Sequence, residues 1–172
     1  MMKLIKRLKV AIYNVIRRYR CRVLCEMLDP EGKTLLDVGC QELYFYDRLK
    51  GRYEITLADY EPRHAEIRRE DVQRLSFGDG EFDVVVCQQV LEHVDDPARA
   101  MGELRRVARR QLVISVPYEP FFTLARFCHW EKEHLWAVTP KALERHLGRP
   151  AEQRKLFFRR YYMASWRMEP ET

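Results

Sequence analysis

The sequence predicts a doubly wound α/β domain with a mainly parallel sheet, preceded by an amphipathic helix. Three observations predict it. Short apolar runs at 33–38, 82–87 (FDVVVC) and 111–117 (QLVISVP) lack the alternation of a half-exposed strand and read as strands covered on both faces. Segments with helical periodicity alternate with them. The first run breaks at Asp37-Val38-Gly39-Cys40 into a helix-compatible segment. That is the outline of a strand, a tight turn and a helix whose N–H groups face a ligand.

At 172 residues the chain is expected to form a basic helix over 1–28 and one α/β domain over 29–172. A chain of this length buries about two-thirds of its unfolded surface. A hydrophobic fraction of 47% with 33% charged residues fits a globular rather than a disordered protein. No apolar run approaches the roughly 20 residues of a membrane-spanning helix. Lys and Arg interrupt every early apolar stretch, so no signal-peptide core is expected and the cytoplasm is the expected location. Cys21, Cys25, Cys40, Cys87 and Cys128 form no CxxC pair or zinc-ribbon spacing, and read as reduced packing residues.

The net charge of +5 is unevenly placed. Residues 1–25 hold eight basic side chains (Lys3, Lys6, Arg7, Lys9, Arg17, Arg18, Arg20, Arg22) and no acid. Taking these 8 from 31 leaves 23 basic against 26 acidic residues, a net of −3. The basic character belongs to one segment, and a nucleic-acid partner is not expected from the chain as a whole.

Residues 3–28 read as a helix. Leu4, Ile5, Leu8, Ile12, Val15, Ile16, Tyr19 and Val23 fall within an arc of about 120°, with most basic residues opposite. Two readings stay open: a helix packed on the domain with a solvated basic face, or one lying on an anionic membrane surface or acidic partner. Asp29-Pro30-Glu31-Gly32 is a turn into the first strand. Glu42 to Lys50 reads as a helix, acidic at its start, basic at its end and closed by Gly51. Strands over 53–58 and 65–70 end at Asp59 and Asp71. A loop over 75–81, with Gly78-Asp79-Gly80 at its tip, leads to the strand at 82–87. Asp96 is placed to cap a helix with Pro97 at its first position, and Ala100, Met101, Leu104, Val107 and Ala108 form its apolar face. After the strand at 111–117, residues 119–137 read as an aromatic-rich lid or connector. Thr139-Pro140 opens a short helix closed by Gly148, and 153–168 supplies one or two last strands.

LLDVGC (35–40), LADYEP (57–62), EDVQRLSFGDGEFDVVVCQQVLEHVDDP (70–97) and LVISVP (112–117) together resemble class I S-adenosylmethionine-dependent methyltransferases of the small-molecule, type 11-like kind. The likeness runs over roughly residues 33–147, with the motifs in the right order. It implies a Rossmann-like fold and S-adenosylmethionine as cofactor. It also implies that Asp37, Gly39, Cys40 and Gln41 form the first cofactor turn, with Gly39 letting backbone approach the methionine part. Asp59 would accept from both ribose hydroxyls. Asp71 would accept from the adenine amino group, the Val72 N–H would meet the ring, and Gln88 with Gln89 would line the pocket near the transferred methyl.

Residue chemistry keeps plainer roles beside these. Asp37 can cap its turn, and Asp59 and Asp71 can be turn residues at strand ends. His93 beside Glu92 is the one candidate general base, although the resemblance implies an architectural task for the pair. Some quinone-pathway relatives bind a metal through E-x-x-E-H. Here the first position is Gln89, which carries no charge, and no metal is expected. His129, Glu131, Glu133 and His134 read as lid residues beside Tyr118, Phe121, Phe122 and Trp130.

The chain departs from the family pattern at Gln41 and Leu43, where G-x-G-x-G is usual. A positive φ at position 41 would cost Gln on the order of 1 kcal/mol, and Leu43 would crowd the helix against strand or cofactor. Between Asp59 and residue 65 there is no room for a crossover helix. Arg109-Arg110 stands where Pro-Gly-Gly often turns helix into strand. Two functions follow: a methyltransferase for a small-molecule or lipid-like acceptor, or a non-catalytic methyltransferase-like partner or scaffold. The basic helix and aromatic lid favour a lipid-linked, quinone-like or anionic acceptor.

Overall fold

The buried apolar runs pair into a seven-stranded sheet in the computed structural model, which describes residues 2–40, 43, 45–118, 135, 137–156 and 161–168. The strands are β1 (Thr34–Val38), β2 (Glu54–Asp59), β3 (Ile67–Arg69), β4 (Phe82–Gln88), β5 (Ala108–Pro117), β6 (Glu152–Leu156) and β7 (Tyr161–Arg167). Their order is β3-β2-β1-β4-β5-β7-β6. The first five in that order run parallel, while β7 runs antiparallel to both β5 and β6. Strand order reverses between β1 and β4, and a ligand crevice forms at the carboxyl ends of strands at such a point.

Helices α1 (Met2–Met27), α2 (Tyr46–Leu49), α3 (Pro97–Val107) and α4 (Pro140–Leu147) flank the sheet. Leu36, Val38, Val85 and Cys87 share a core with Met101 and Leu104 of α3 and Leu143 of α4. Leu35, Val84 and Val86 share another with Cys21, Leu24 and Met27 of α1 and Leu49 of α2. Successive side chains of β1 and β4 thus enter opposite cores, which is why both strands are apolar without alternation. The helix caps match expectation. Asp96 Oδ1 accepts from the Arg99 N–H at 2.9 Å, Thr139 Oγ1 accepts from the Ala142 N–H at 3.2 Å, and Gly148 has φ +79°.

Several boundaries differ from the sequence reading. The helix expected over 42–50 is only the four residues of α2, with residues 41, 42 and 44 outside the described set. The connection from β2 to β3 holds no helix, as its length dictates. Helix α3 passes into β5 without a turn, and Ala108 already pairs with Phe82. Here Arg109 bonds Asp83 (Nε to Oδ1 2.9 Å), while Arg110 reaches Asp29 at 2.9 Å and Glu31 at 3.0 Å. Ion pairs secure this junction where a glycine turn was the family expectation. The lid expected over 119–137 lies almost wholly outside the described residues, with His129, Glu131, Glu133 and His134.

Helix α1 keeps the expected span within a residue at each end. Among its described residues full burial begins at Cys21 and Ile16 is half-buried, whereas Tyr13, Val15 and Tyr19 are 56%, 62% and 37% exposed. Gln111 fastens its end. The Gln111 Nε2 donates to the Met27 carbonyl at 2.7 Å and to Ser165 Oγ at 2.8 Å, and its Oε1 accepts from the Asp29 N–H at 2.7 Å.

Candidate functional site

Two carboxylates close the adjoining strands β1 and β2 at the crevice. Asp37 is 3% exposed and Asp59 is 7% exposed. The parallel register sets Asp37 beside Leu57 and Val38 beside Ala58, so Asp59 lies one step beyond the end of β1. Burial, with the charge of Asp59 added, pushes the Asp37 carboxyl up to about 7. Asp59 Oδ1 accepts from the Glu61 N–H at 2.8 Å. Among the described residues, no lysine or arginine forms an ion pair with either carboxylate.

The turn after β1 is built against β2. Gly39 has φ +81°, and its N–H donates to the Ala58 carbonyl at 2.8 Å. The Cys40 N–H (3.4 Å) and Sγ (3.5 Å) point at the same oxygen. Burial, followed by the charges of Asp37 and Asp59, pushes the Cys40 thiol up to about 12. The turn's own N–H donors at Gly39 and Cys40 are therefore engaged by β2. Gln41 lies outside the described residues. Leu43, expected to crowd the helix, instead packs half-buried against Cys40, Leu57 and Ile67.

The end of β4 supplies the facing wall. Gln88 is half-buried and pairs with Ser115 across the sheet. Gln89 takes the left-handed conformation, φ +55°. Its N–H donates to the Ser115 carbonyl at 2.8 Å and its Nε2 to Ser115 Oγ at 3.1 Å. Just after this bend, the side chain of Val90 packs where a Cβ on Gly39 would lie. The His93 N–H donates to the Val90 carbonyl at 2.9 Å, leaving His93 on an exposed turn. Glu92 is 1% exposed, and its carbonyl accepts from the Leu135 N–H at 2.8 Å. Sequence reasoning missed Ser115 and Val90, for no residue pattern marks a left-handed glutamine.

Asp71 and Val72 stand beyond β3. Asp71 Oδ1 accepts from the backbone N–H of Gln73 at 2.9 Å and from its Nε2 at 3.2 Å, and Gln73 Oε1 accepts from the Asp96 N–H at 2.8 Å. This chain of bonds ties the turn to the start of α3. The Val72 side chain is buried in the α3-side core. Among the described residues, no cluster of three or more His, Cys, Asp or Glu could hold a metal ion.

Residues 36–114 match the family model of a methyltransferase domain. The match takes in just under half of the chain and, with the sheet order, likens it to the class I S-adenosylmethionine-dependent methyltransferases, whose methyl donor is S-adenosylmethionine. The chain is similar to an uncharacterised methyltransferase of Schizosaccharomyces pombe, 35% identical over 80 residues, covering 46% of this chain and 29% of the relative. It is similar also to the ubiquinone biosynthesis O-methyltransferase of Coxiella burnetii, 27% identical over 106 residues, covering 53% of this chain and 45% of the relative. It therefore spans less than half the length of these curated relatives. The crystal structure of a Thermotoga maritima S-adenosylmethionine-dependent methyltransferase shares its fold, with a TM-score of 0.69 at 16% identity over 94% of this chain and 95% of that one.

Proposed function

We propose that this chain holds S-adenosylmethionine across the carboxyl ends of β1, β2 and β4 and directs its methyl group to a small-molecule or lipid-like acceptor. The observation that carries the reading is the buried pair Asp37 and Asp59, with no ion-pair partner among the described residues. Two neighbouring buried carboxyls of this kind suit a cationic ligand that also brings hydroxyl donors.

S-adenosylmethionine fits that demand, since it supplies an activated methyl on a sulfonium sulfur and carries an ammonium and a ribose diol. Asp37 offers the opposite charge. Asp59, with one oxygen held by Glu61, offers the other to the ribose hydroxyls. The Val72 N–H and the second oxygen of Asp71 serve the adenine edge. Gln88 and Gln89 line the acceptor side. The departing thioether is neutral, so these residues need only position the partners and exclude water. His93 is the candidate base where the acceptor is a hydroxyl. The name of the Coxiella relative supports an aromatic, lipid-linked hydroxyl as acceptor.

Calorimetry with S-adenosylmethionine and S-adenosylhomocysteine tests the cofactor site. Binding should weaken by about tenfold or more in Asp59→Ala, the loss of a charge-assisted hydrogen bond. No binding at millimolar ligand would remove the enzyme reading and leave the non-catalytic partner in its place. With binding established, release of S-adenosylhomocysteine on addition of prenylated phenols tests the acceptor class.

A further inference from the structure

Helix α1 is one continuous helix of 26 residues, yet its buried described residues begin only at Cys21. At about 100° per residue, the docked positions 21, 23, 24 and 27 centre roughly a third of a turn away from the stripe of positions 4, 5, 8, 12, 15, 16 and 19. The sequence puts Leu, Ile, Val and Tyr on that stripe. Of its three described members Val15 at 62% and Tyr19 at 37% are open to solvent and Ile16 is half-buried, and neighbouring Tyr13 is 56% exposed. At the junction the Arg20 guanidinium lies 4.9 Å from the Tyr161 ring centre, on the docked side. Val23, at one edge of the stripe, is docked and Ile16 is half-buried, so the seat on the sheet takes one flank of the stripe and leaves Val15 and Tyr19 open.

We propose that residues 2–20 of α1 form a docking surface for an anionic lipid bilayer, lying in the interface with the stripe turned to the acyl boundary. Charge selects this occupant. Eight basic residues and no acid lie within residues 1–25, while the rest of the chain is net negative. Basic flanks beside an apolar stripe with tyrosines are the chemistry of a helix on anionic lipid. A second copy of this chain fits worse. Positions 5, 8, 12, 15 and 19 follow heptad spacing, but every flanking charge is positive, so paired helices would repel where coiled coils place opposite charges. The stripe is also wider than a two-position seam. No described helix is long and apolar enough to cross a membrane, so α1 would lie on the surface rather than span it.

The test uses the full chain and vesicles of phosphatidylcholine, with or without about 30% phosphatidylglycerol. Sedimentation should show at least about tenfold stronger partition onto the anionic vesicles, weakened by added salt. A double variant, Ile12→Glu with Val15→Glu, should lose that gain, as should Lys3, Lys6, Arg7 and Lys9 changed to Gln. Both variants leave Cys21, Val23, Leu24 and Met27 unchanged, and should keep the wild-type melting temperature. Equal partition onto both vesicle types, or undiminished binding by the Glu variant, would overturn the proposal. So would a dimer in solution that the Glu variant dissociates, or RNA binding that survives it. Partition is read without cofactor, so it stands or falls apart from methyl transfer.

Discussion

Gly39 and Val90 occupy one space: a Cβ on Gly39 would overlap Cγ2 of Val90. The turn after β1 and the bend after β4 are therefore built against each other, and the glycine serves this contact whatever ligand arrives. It also holds φ +81°, which costs other residues energy. Gly39→Ala should lower stability by about 2–4 kcal/mol, from the backbone and overpacking terms together. Adding Val90→Ala should recover part of that loss, because it opens the overlapped space. Urea denaturation of the two single variants and the double reads the coupling, and strict additivity would refute the shared-space account.

Asp37 should give the protein an unusual pH profile. Its carboxyl is raised from 3.8 to about 7, chiefly by burial and then by Asp59. Between those values the folded state binds more protons than the unfolded chain, so stability falls as pH rises. At about 1.4 kcal/mol per unit, the fall across the window reaches about 4 kcal/mol. Asp37→Asn should flatten this slope in thermal melts taken from pH 4 to 8. A cationic ligand favours the ionised carboxylate, so cofactor affinity in the wild type should rise with pH over the same interval. The same flattening should appear there in Asp37→Asn.

The bend at Gln89 separates backbone strain from hydrogen bonding. Gln89→Ala loses the bond from Nε2 to Ser115 Oγ and keeps the left-handed backbone, whereas Gln89→Gly loses the bond and relieves the backbone. The glycine variant should be the more stable by about 1 kcal/mol, measured by urea midpoints. If the alanine variant equals or exceeds it, the bend stores no strain.

The sheet was legible because β1, β4 and β5 are covered on both faces and write that burial as unbroken apolar runs. Asp96-Pro97 and Thr139-Pro140 were legible because capping is local chemistry. Asp37 and Asp59 could be located because strand ends place them, at the carboxyl ends of adjoining β1 and β2. The engagement of the Gly39 and Cys40 donors was not legible, since it depends on where the Ala58 carbonyl falls in the neighbouring strand. Nor was the docked face of α1. Val23 belongs to the stripe the periodicity picks out, but Cys21, Leu24 and Met27 lie off it and are docked by tertiary contact. The clip between Gln89 and Ser115 left no trace, because glutamine carries no preference for the left-handed region.

Gln111 has a consequence for the order of assembly. It holds the end of α1 only by spanning 84 residues back to Met27 and 54 forward to Ser165. The ribosome therefore releases α1 long before this clip can close. β1, α2 and β4 can receive the helix first, but until β5 and β7 have been made and paired its end stays unclipped and free to fray.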